Sequence, residues 1–464
     1  MKKVFIGCFL AVGAQLGAQN LPGSFNDAYR IFTSDKIFDH ASISLLVVND
    51  ATGKTVTNSN SAMGLAPASC QKVITACTSF ELLGHDYTYK TTLGYTGTIT
   101  NGVLHGDVVI KGSGDPTLGS WRYTSTSEET IIAAFKAAIL RAGISEIKGH
   151  VYADENLWKG GVTPDGWIWE DIGNYYGAGA QALNWRENQY DLILRSGERV
   201  GDTVNFVGTS PAYVSGLHLA IMATAAGKET GDNAYIYPPQ GSPYTSVRGT
   251  IPVAEDSFTI SGSMPHPALQ LAITLESVLK NLPLKDIALQ YPDKNPKFDS
   301  VTIFYTHTSP DLDSIVFWFL KKSVNLYGEA LIKTLASKFT NVGAADSGVS
   351  IIKSFWQKKG IDPASLNVID GSGLSPANRI TTASLVHVLQ FAKKQEWFSS
   401  FYAALPEING IKMKSGSIGG VVSYAGYVRG KNGTNYTFAF IINNFDGNAS
   451  EVRKKMWGLL DLLK

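Results

Sequence analysis

Pro67-Ala68-Ser69-Cys70-Gln71-Lys72-Val73-Ile74 is the stretch on which the reading of this chain turns. Apolar residues at Val73, Cys77 and Phe80, spaced four and three apart, mark one face of a helix running from Ser69 to Leu83. Pro67 before its start and Gly84 past its end are the expected punctuation. Positions i and i+3 of a helix share a side, so Ser69 and Lys72 project together from the first turn. The unpaired N–H groups of that turn and the positive end of the helix dipole surround the serine. A serine with an amine and N–H donors beside it suits acyl transfer. A serine at a helix start is equally a cap, so the weight falls on the rest of the chain.

Toward the N-terminus, Met1-Lys2-Lys3 is followed by an apolar run from Val4 to Val12 and by small residues ending Leu16-Gly17-Ala18. This reads as a signal peptide over residues 1–18, with a mature chain from near Gln19 and cleavage after Ala14 as the alternative. The run is too short to span a bilayer. Cys8 lies inside the apolar stretch and follows no lipobox, so a lipid anchor is not expected. No later apolar run reaches spanning length, and no integral membrane segment is expected after cleavage. The 464 residues predict more than one domain. With 40 basic and 39 acidic residues the net charge is +1, and nothing points to a nucleic-acid partner or an anionic membrane surface. Cys70 and Cys77 are seven apart on one helix, about 10 Å along its axis, beyond disulfide reach.

Onward from the opening stretch, residues 41–57 read as a hairpin. Ile43, Leu45, Leu46, Val47 and Val48 form its buried strand and residues 49–54 its turn. From Tyr87 to Pro292 strand-like pieces alternate with Gly, Asn and Asp turns. Residues 91–100 and 103–110 read as strands about Asn101-Gly102, and 128–142 as a helix. The aromatic and glycine-rich run from Trp167 to Ala180 reads as a loop packing two domains together, in preference to substrate contact. Helices are expected again over 312–321, 326–338, 349–358 and 382–391. Strands follow over 410–415, 421–428 and 436–443, antiparallel by their short turns, and then a closing helix over 450–463. The division implied is one α/β domain in two pieces, 25–92 and 296–464, around a mostly β insertion over 93–295.

Three short motifs fall in order along this plan: Ser69-x-x-Lys72 opening a helix, Ser323-Val324-Asn325 between helices, and Lys414-Ser415-Gly416 on a strand. S-x-x-K with S-D-N and K-T-G is the signature of penicillin-binding proteins and class A β-lactamases, and the three motifs here match it in order. The chain resembles the low-molecular-mass class C penicillin-binding proteins, the penicillin-binding protein 4-type D-alanyl-D-alanine carboxypeptidases and endopeptidases of serine peptidase family S13. The resemblance covers nearly all of the mature chain. It includes the 254 positions between Ser69 and Ser323, far more than a β-lactamase has there. It also includes residues 112–118, 175–179, Asp370-Gly371-Ser372-Gly373-Leu374-Ser375 and Gly426-Tyr427-Val428.

The resemblance implies a serine D,D-peptidase-like transpeptidase fold of α/β (α+β) class, an antiparallel sheet flanked by helices, with a large, mostly β insertion made of two subdomains. It implies a catalytic set of Ser69 as nucleophile, Lys72 as base and Ser323 as proton relay. Asn325, Lys414, Ser415, Gly416 and Ser417 would bind substrate, and the N–H groups of Ser69 and Ser417 would form the oxyanion hole. Asp154 matches a family acid that meets the stem-peptide amine, with an exposed structural aspartate as the alternative. The implied partners are peptidoglycan stem peptides and β-lactam antibiotics, in the periplasm, with no metal or cofactor. Ser415 and Ser417 stand where the family most often has threonine, and both keep a hydroxyl. Pro376 stands where relatives carry an arginine for a diaminopimelate carboxylate, which weakens the case for that stem residue. No H-e-x-x-H or G-x-S-x-G motif occurs, and the 8 histidines are scattered. The rival readings are a β-lactamase, disfavoured by the long insertion, and a non-catalytic β-lactam-binding or wall-sensing protein, disfavoured by the intact motifs.

Overall fold

The structure, a computed structural model, describes residues 21–279 and 300–464. The expected signal peptide over 1–18 lies outside them. The frame is a six-stranded sheet, antiparallel throughout, in the order Glu407–Ile408, Ile411–Ile418, Val421–Arg429, Asn435–Asn443, Ser42–Asn49, Thr55–Ser59. The two distant pieces of the chain meet where Val47 pairs with Phe438. Strand Ser42–Asn49 is buried on both faces, so its apolar residues run without a break instead of alternating. Successive side chains still point to opposite sides. Leu45 and Val47 enter a core with Phe438, Phe440, Val452 and Met456, beneath the terminal helix Ala449–Leu460. Leu46 and Val48 enter a larger core with Val73, Ile74, Cys77, Phe319 and Leu331. Each such leucine, fully buried, contributes about 1.5–3 kcal/mol.

On that second face lies the helix Lys72–Leu83, preceded by a 3₁₀ turn over Ala68–Gln71 that carries Ser69. Gly84 ends it at φ +93°, a conformation open to glycine and strained for other residues. Helices Leu312–Lys321, Asn325–Thr340 and Thr382–Ala392 pack around it. The interruption at Ser323 falls where expected, and Ser323 takes φ +58°.

The insertion carries two cores. In the first, helices Glu128–Arg141 and Pro267–Leu279 cover a sheet in the order Thr302–Thr308, Lys90–Tyr95, Val108–Lys111, Val151–Asp154. Of the expected domain seams, 92/93 falls inside strand Lys90–Tyr95, while residue 295 lies outside the described residues. The single hairpin expected over 91–110 is in fact two. Lys90–Tyr95 pairs with Val108–Lys111, whereas Thr98–Thr100 pairs with Val103–His105 in another sheet. The break sits at Gly97 and Gly106, where a Cβ would lie 2.1 Å from the His105 carbonyl oxygen and 2.0 Å from that of Thr96. The second core joins the sheet of Gln189–Arg195, Asn205–Ser210 and Phe258–Ser263 to the one around Thr245–Pro252. Among the described residues no helix is long and apolar enough to cross a membrane.

Candidate active site

Ser69 opens onto a cavity of about 680 Å³ whose wall also includes Ile168, Tyr176, Tyr235, Asn325 and Ser417. The turn that bears it is held tightly on two sides. A Cβ on Gly416 would lie 2.6 Å from the Pro67 carbonyl oxygen and 2.8 Å from the Ser69 nitrogen; one on Gly373 would lie 2.0 Å from the Ala68 carbonyl oxygen. Strand Ile411–Ile418 and loop 370–378 thus approach the Ser69 turn backbone to backbone at these two glycines. Ser423 adds a hydrogen bond from Oγ to the Pro67 carbonyl, 2.5 Å. Ala68, fully buried, is held at φ +45°, a strain of roughly 1–3 kcal/mol that the surrounding contacts must offset.

Lys72 is completely buried. Its Nζ lies 2.9 Å from Ser69 Oγ, 2.6 Å from Asn325 Oδ1 and 2.7 Å from the Ser372 carbonyl oxygen. Burial, and then the charge of Lys414, hold its amine well below the ordinary lysine range, while Asp370 and Glu329 pull it partly back. A neutral amine has two hydrogens and one lone pair. The Asn325 and Ser372 oxygens have no proton to give in return, so they take both hydrogens and leave the lone pair facing the Ser69 hydroxyl. That is the arrangement a general base needs.

Asn325 begins the helix Asn325–Thr340, and its Nδ2 donates to the Tyr176 carbonyl of the insertion at 2.8 Å. The aromatic loop expected only to pack domains therefore does more. Trp167 Nε1 donates to Asp370 Oδ2 at 2.8 Å, a packing contact, while Glu170, Asp171, Tyr175 and Tyr176 line the cavity. Ser323 lines the cavity too, and the bonds of Lys72 do not include its hydroxyl.

Lys414 is buried, its Nζ donates to the Ser415 carbonyl at 2.8 Å, and burial lowers it to about 8. Ser417 is exposed on the cavity wall, and its Oγ accepts from Arg453. Pro376 also lines the cavity; Arg379, three residues on, bonds the backbone carbonyls of Pro376 and Asn378.

Asp154 lies on the insertion and is bonded within its own turn. It ends strand Val151–Asp154, its Oδ1 accepts from the Asn156 backbone N at 3.0 Å and Nδ2 at 2.8 Å, and it is absent from the cavity wall. Beyond this strand, the insertion next lines the cavity at Ile168. The acids the insertion does place there are Glu170, Asp171 and Glu187. Glu187 is already engaged by Arg122, Ser120 and Tyr327. Asp171 is raised to about 6, chiefly by burial.

Two buried carboxylates were not singled out from sequence. Glu329 accepts from the backbone N–H groups of Gly371 (3.0 Å) and Ser372 (2.9 Å), and so orients the carbonyl that Lys72 bonds. Burial and the neighbouring Asp370 push its carboxyl up. Asp370 accepts from the backbone N–H groups of Gly373 and Ser375 and from the side chains of Gln71, Asn378 and Trp167. Asn325, Glu329 and Lys333 recur at intervals of four along an otherwise apolar helix, a polar stripe visible in the sequence. Cys70 and Cys77 are free and buried, as their spacing predicts. Among the described residues no three His, Cys, Asp or Glu side chains are grouped to hold a metal.

The model of the D-Ala-D-Ala carboxypeptidase 3 (S13) family matches residues 31–411 and 407–463. A D-alanyl-D-alanine carboxypeptidase from Actinomadura sp. (strain R39) is 26% identical over 457 residues, 89% of this chain and 80% of that protein. The crystal structure of penicillin binding protein 4 (dacB) from Haemophilus influenzae superposes with a TM-score of 0.78 at 21% identity, over 94% of this chain and 97% of that one. A second structure of that protein, complexed with a novel β-lactam, gives 0.73 at 20% identity over 95% and 99%.

Proposed function

The chain belongs to the D-Ala-D-Ala carboxypeptidase 3 (S13) family and is a serine-type carboxypeptidase; from that premise we propose that it hydrolyses D-alanyl bonds of peptidoglycan stem peptides and cross-links through an acyl-enzyme on Ser69. The observation that carries this reading is the 2.9 Å approach of Lys72 Nζ to Ser69 Oγ, with the other two partners of the amine able only to accept.

In this reading Lys72 removes the Ser69 proton as the hydroxyl attacks the D-alanyl carbonyl. The N–H groups of Ser69 and Ser417 stabilise the oxyanion; one such donor is worth about 10²–10³ in rate. Ser323, on the cavity wall, passes the proton to the leaving amine, and the D-alanine departs. Water then attacks the ester, with Lys72 again as base, and frees Ser69. Asn325 holds the substrate backbone. Lys414, charged at neutral pH, and Ser415 bind the carboxylate of the leaving residue; the same groups accept the carboxylate beside a cross-link amine. Gly416 keeps the strand close enough for this. A stem amine would meet Glu170 and Asp171, which line the insertion wall, rather than Asp154, which does not. Pro376 offers no partner for a second side-chain carboxylate. β-Lactams acylate Ser69 in the same way, and the protein works in the periplasm after loss of residues 1–18.

Intact-mass analysis after exposure to penicillin should show one adduct, located on Ser69 and lost in Ser69→Ala. Digested muropeptides should lose terminal D-alanine or be split at cross-links. An undiminished adduct in Ser69→Ala, or an acylated protein that leaves every muropeptide uncut, would overturn the respective half of the proposal.

A further inference from the structure

We propose that Arg453 is a specificity-determining residue: it holds the Ser417 hydroxyl as a donor toward the cavity and, with Lys414, selects ligands that carry a free carboxylate. The inference deepens the reading above and rests on it.

Arg453 lies near the start of the terminal helix Ala449–Leu460, and its Nη2 donates to Ser417 Oγ at 2.9 Å. Guanidinium has no lone pair, so this bond runs only from arginine to serine. The serine proton is therefore left for another acceptor, and Ser417 lies on the wall of the cavity that holds Ser69. A positive charge behind the oxygen makes that proton a stronger donor, most of all to an anion. A serine turns more freely about χ1 than a β-branched threonine, and the Arg453 bond supplies the restraint that a methyl group would have given.

The charge balance points the same way. The carboxylate one turn back from Lys455, Glu451, pairs with that lysine at 3.6 Å, and Asp35 pairs with it at 2.6 Å. Among the described residues neither Arg453 nor Lys414 has a carboxylate within ion-pair distance. Two cations without anionic partners thus bracket Ser415–Ser417, one buried beneath the strand and one beside its exposed end. The complementary group is a single carboxylate seated across the strand.

The test compares charged and uncharged forms of the same ligand. Acylation by benzylpenicillin and by its methyl ester is followed by intact mass. KM is measured for an acyl-D-Ala-D-Ala peptide and for its C-terminal amide. In Arg453→Gln, acylation by the free acid should slow, and KM for the free-carboxylate peptide should rise, by about tenfold. Arg453→Lys should recover part of the loss. The ester and the amide should be unaffected by either substitution. Equal losses on both members of each pair, or no loss on either, would overturn the role of Arg453. A wild-type protein that is acylated by penicillin but cuts no D-Ala-D-Ala peptide would sink the substrate reading alone, because the penicillin pair still decides the arginine.

Discussion

Lys72 and Lys333 are both buried amines with three oxygen neighbours, one under the nucleophile and one at the seam with the insertion. Lys333 donates to the carbonyls of Gly161 (2.9 Å), Val162 (3.2 Å) and Ala180 (2.7 Å). All three are acceptors only, so full pairing needs the three hydrogens of an ammonium. One neighbour of Lys72 is a hydroxyl, which can reverse its bond and donate. The charges differ in the same sense. Burial lowers Lys333 to about 8, with Glu329 one turn away pulling it up, so it is charged at neutral pH. Lys72 is buried as deeply and has the Lys414 charge against it as well. What separates a base from a tether is a single hydroxyl and the sign of a neighbouring charge.

The largest effect should come from Lys72→Met. Acylation should fall by about 10²–10⁴-fold, the usual worth of a general base, with a melting temperature within a few degrees of wild type. Lys333→Met should do the reverse. It orphans three carbonyls and should cost about 1–3 kcal/mol of stability, read by denaturant titration, with acylation much less affected. Equal losses of acylation in the two variants would break the contrast. Glu329→Gln sharpens it. Burial and the neighbouring Asp370 push the Glu329 carboxyl up to about 8, so it is already neutral on the acidic limb of the acylation–pH profile, and the substitution should leave that limb in place; a shift of about one unit in either direction would show a Glu329 charge acting on Lys72. Among the expected changes the smallest belongs to Lys414. It must keep its proton to attract a carboxylate, so KM for a free-carboxylate peptide should climb as pH rises through about 8. The C-terminal amide should show no such climb.

Much of this was legible in the sequence. The strands over 421–428 and 436–443 and the helix over 312–321 match observed elements closely, because their apolar runs and turn residues agree. Ser69, Lys72, Ser323, Asn325, Lys414 and Ser417 converge from three separated stretches, as short motifs in a fixed order suggested. The break at Gly97 and Gly106 was hidden, because the crossing it permits joins backbone atoms that no side-chain pattern reports. The stripe of Asn325, Glu329 and Lys333 was readable at a spacing of four but merged into a helix taken as core. Arg453 was out of reach: only the register of the terminal helix against the sheet brings it to Ser417.

Cys70 follows the nucleophile directly, is fully buried, and donates from Sγ to the Lys414 carbonyl at 3.2 Å. Burial pushes its thiol up to about 11, and that of Cys77 well above the ordinary range. Since the thiolate is the reactive form, neither sulfur should meet an alkylating reagent while the domain is closed. The rate at which the alkylating reagent labels them is therefore a clock for opening of the catalytic floor, read by mass with no engineered cysteine. A ligand that binds only the closed state should slow that clock by the factor by which it depletes the open one.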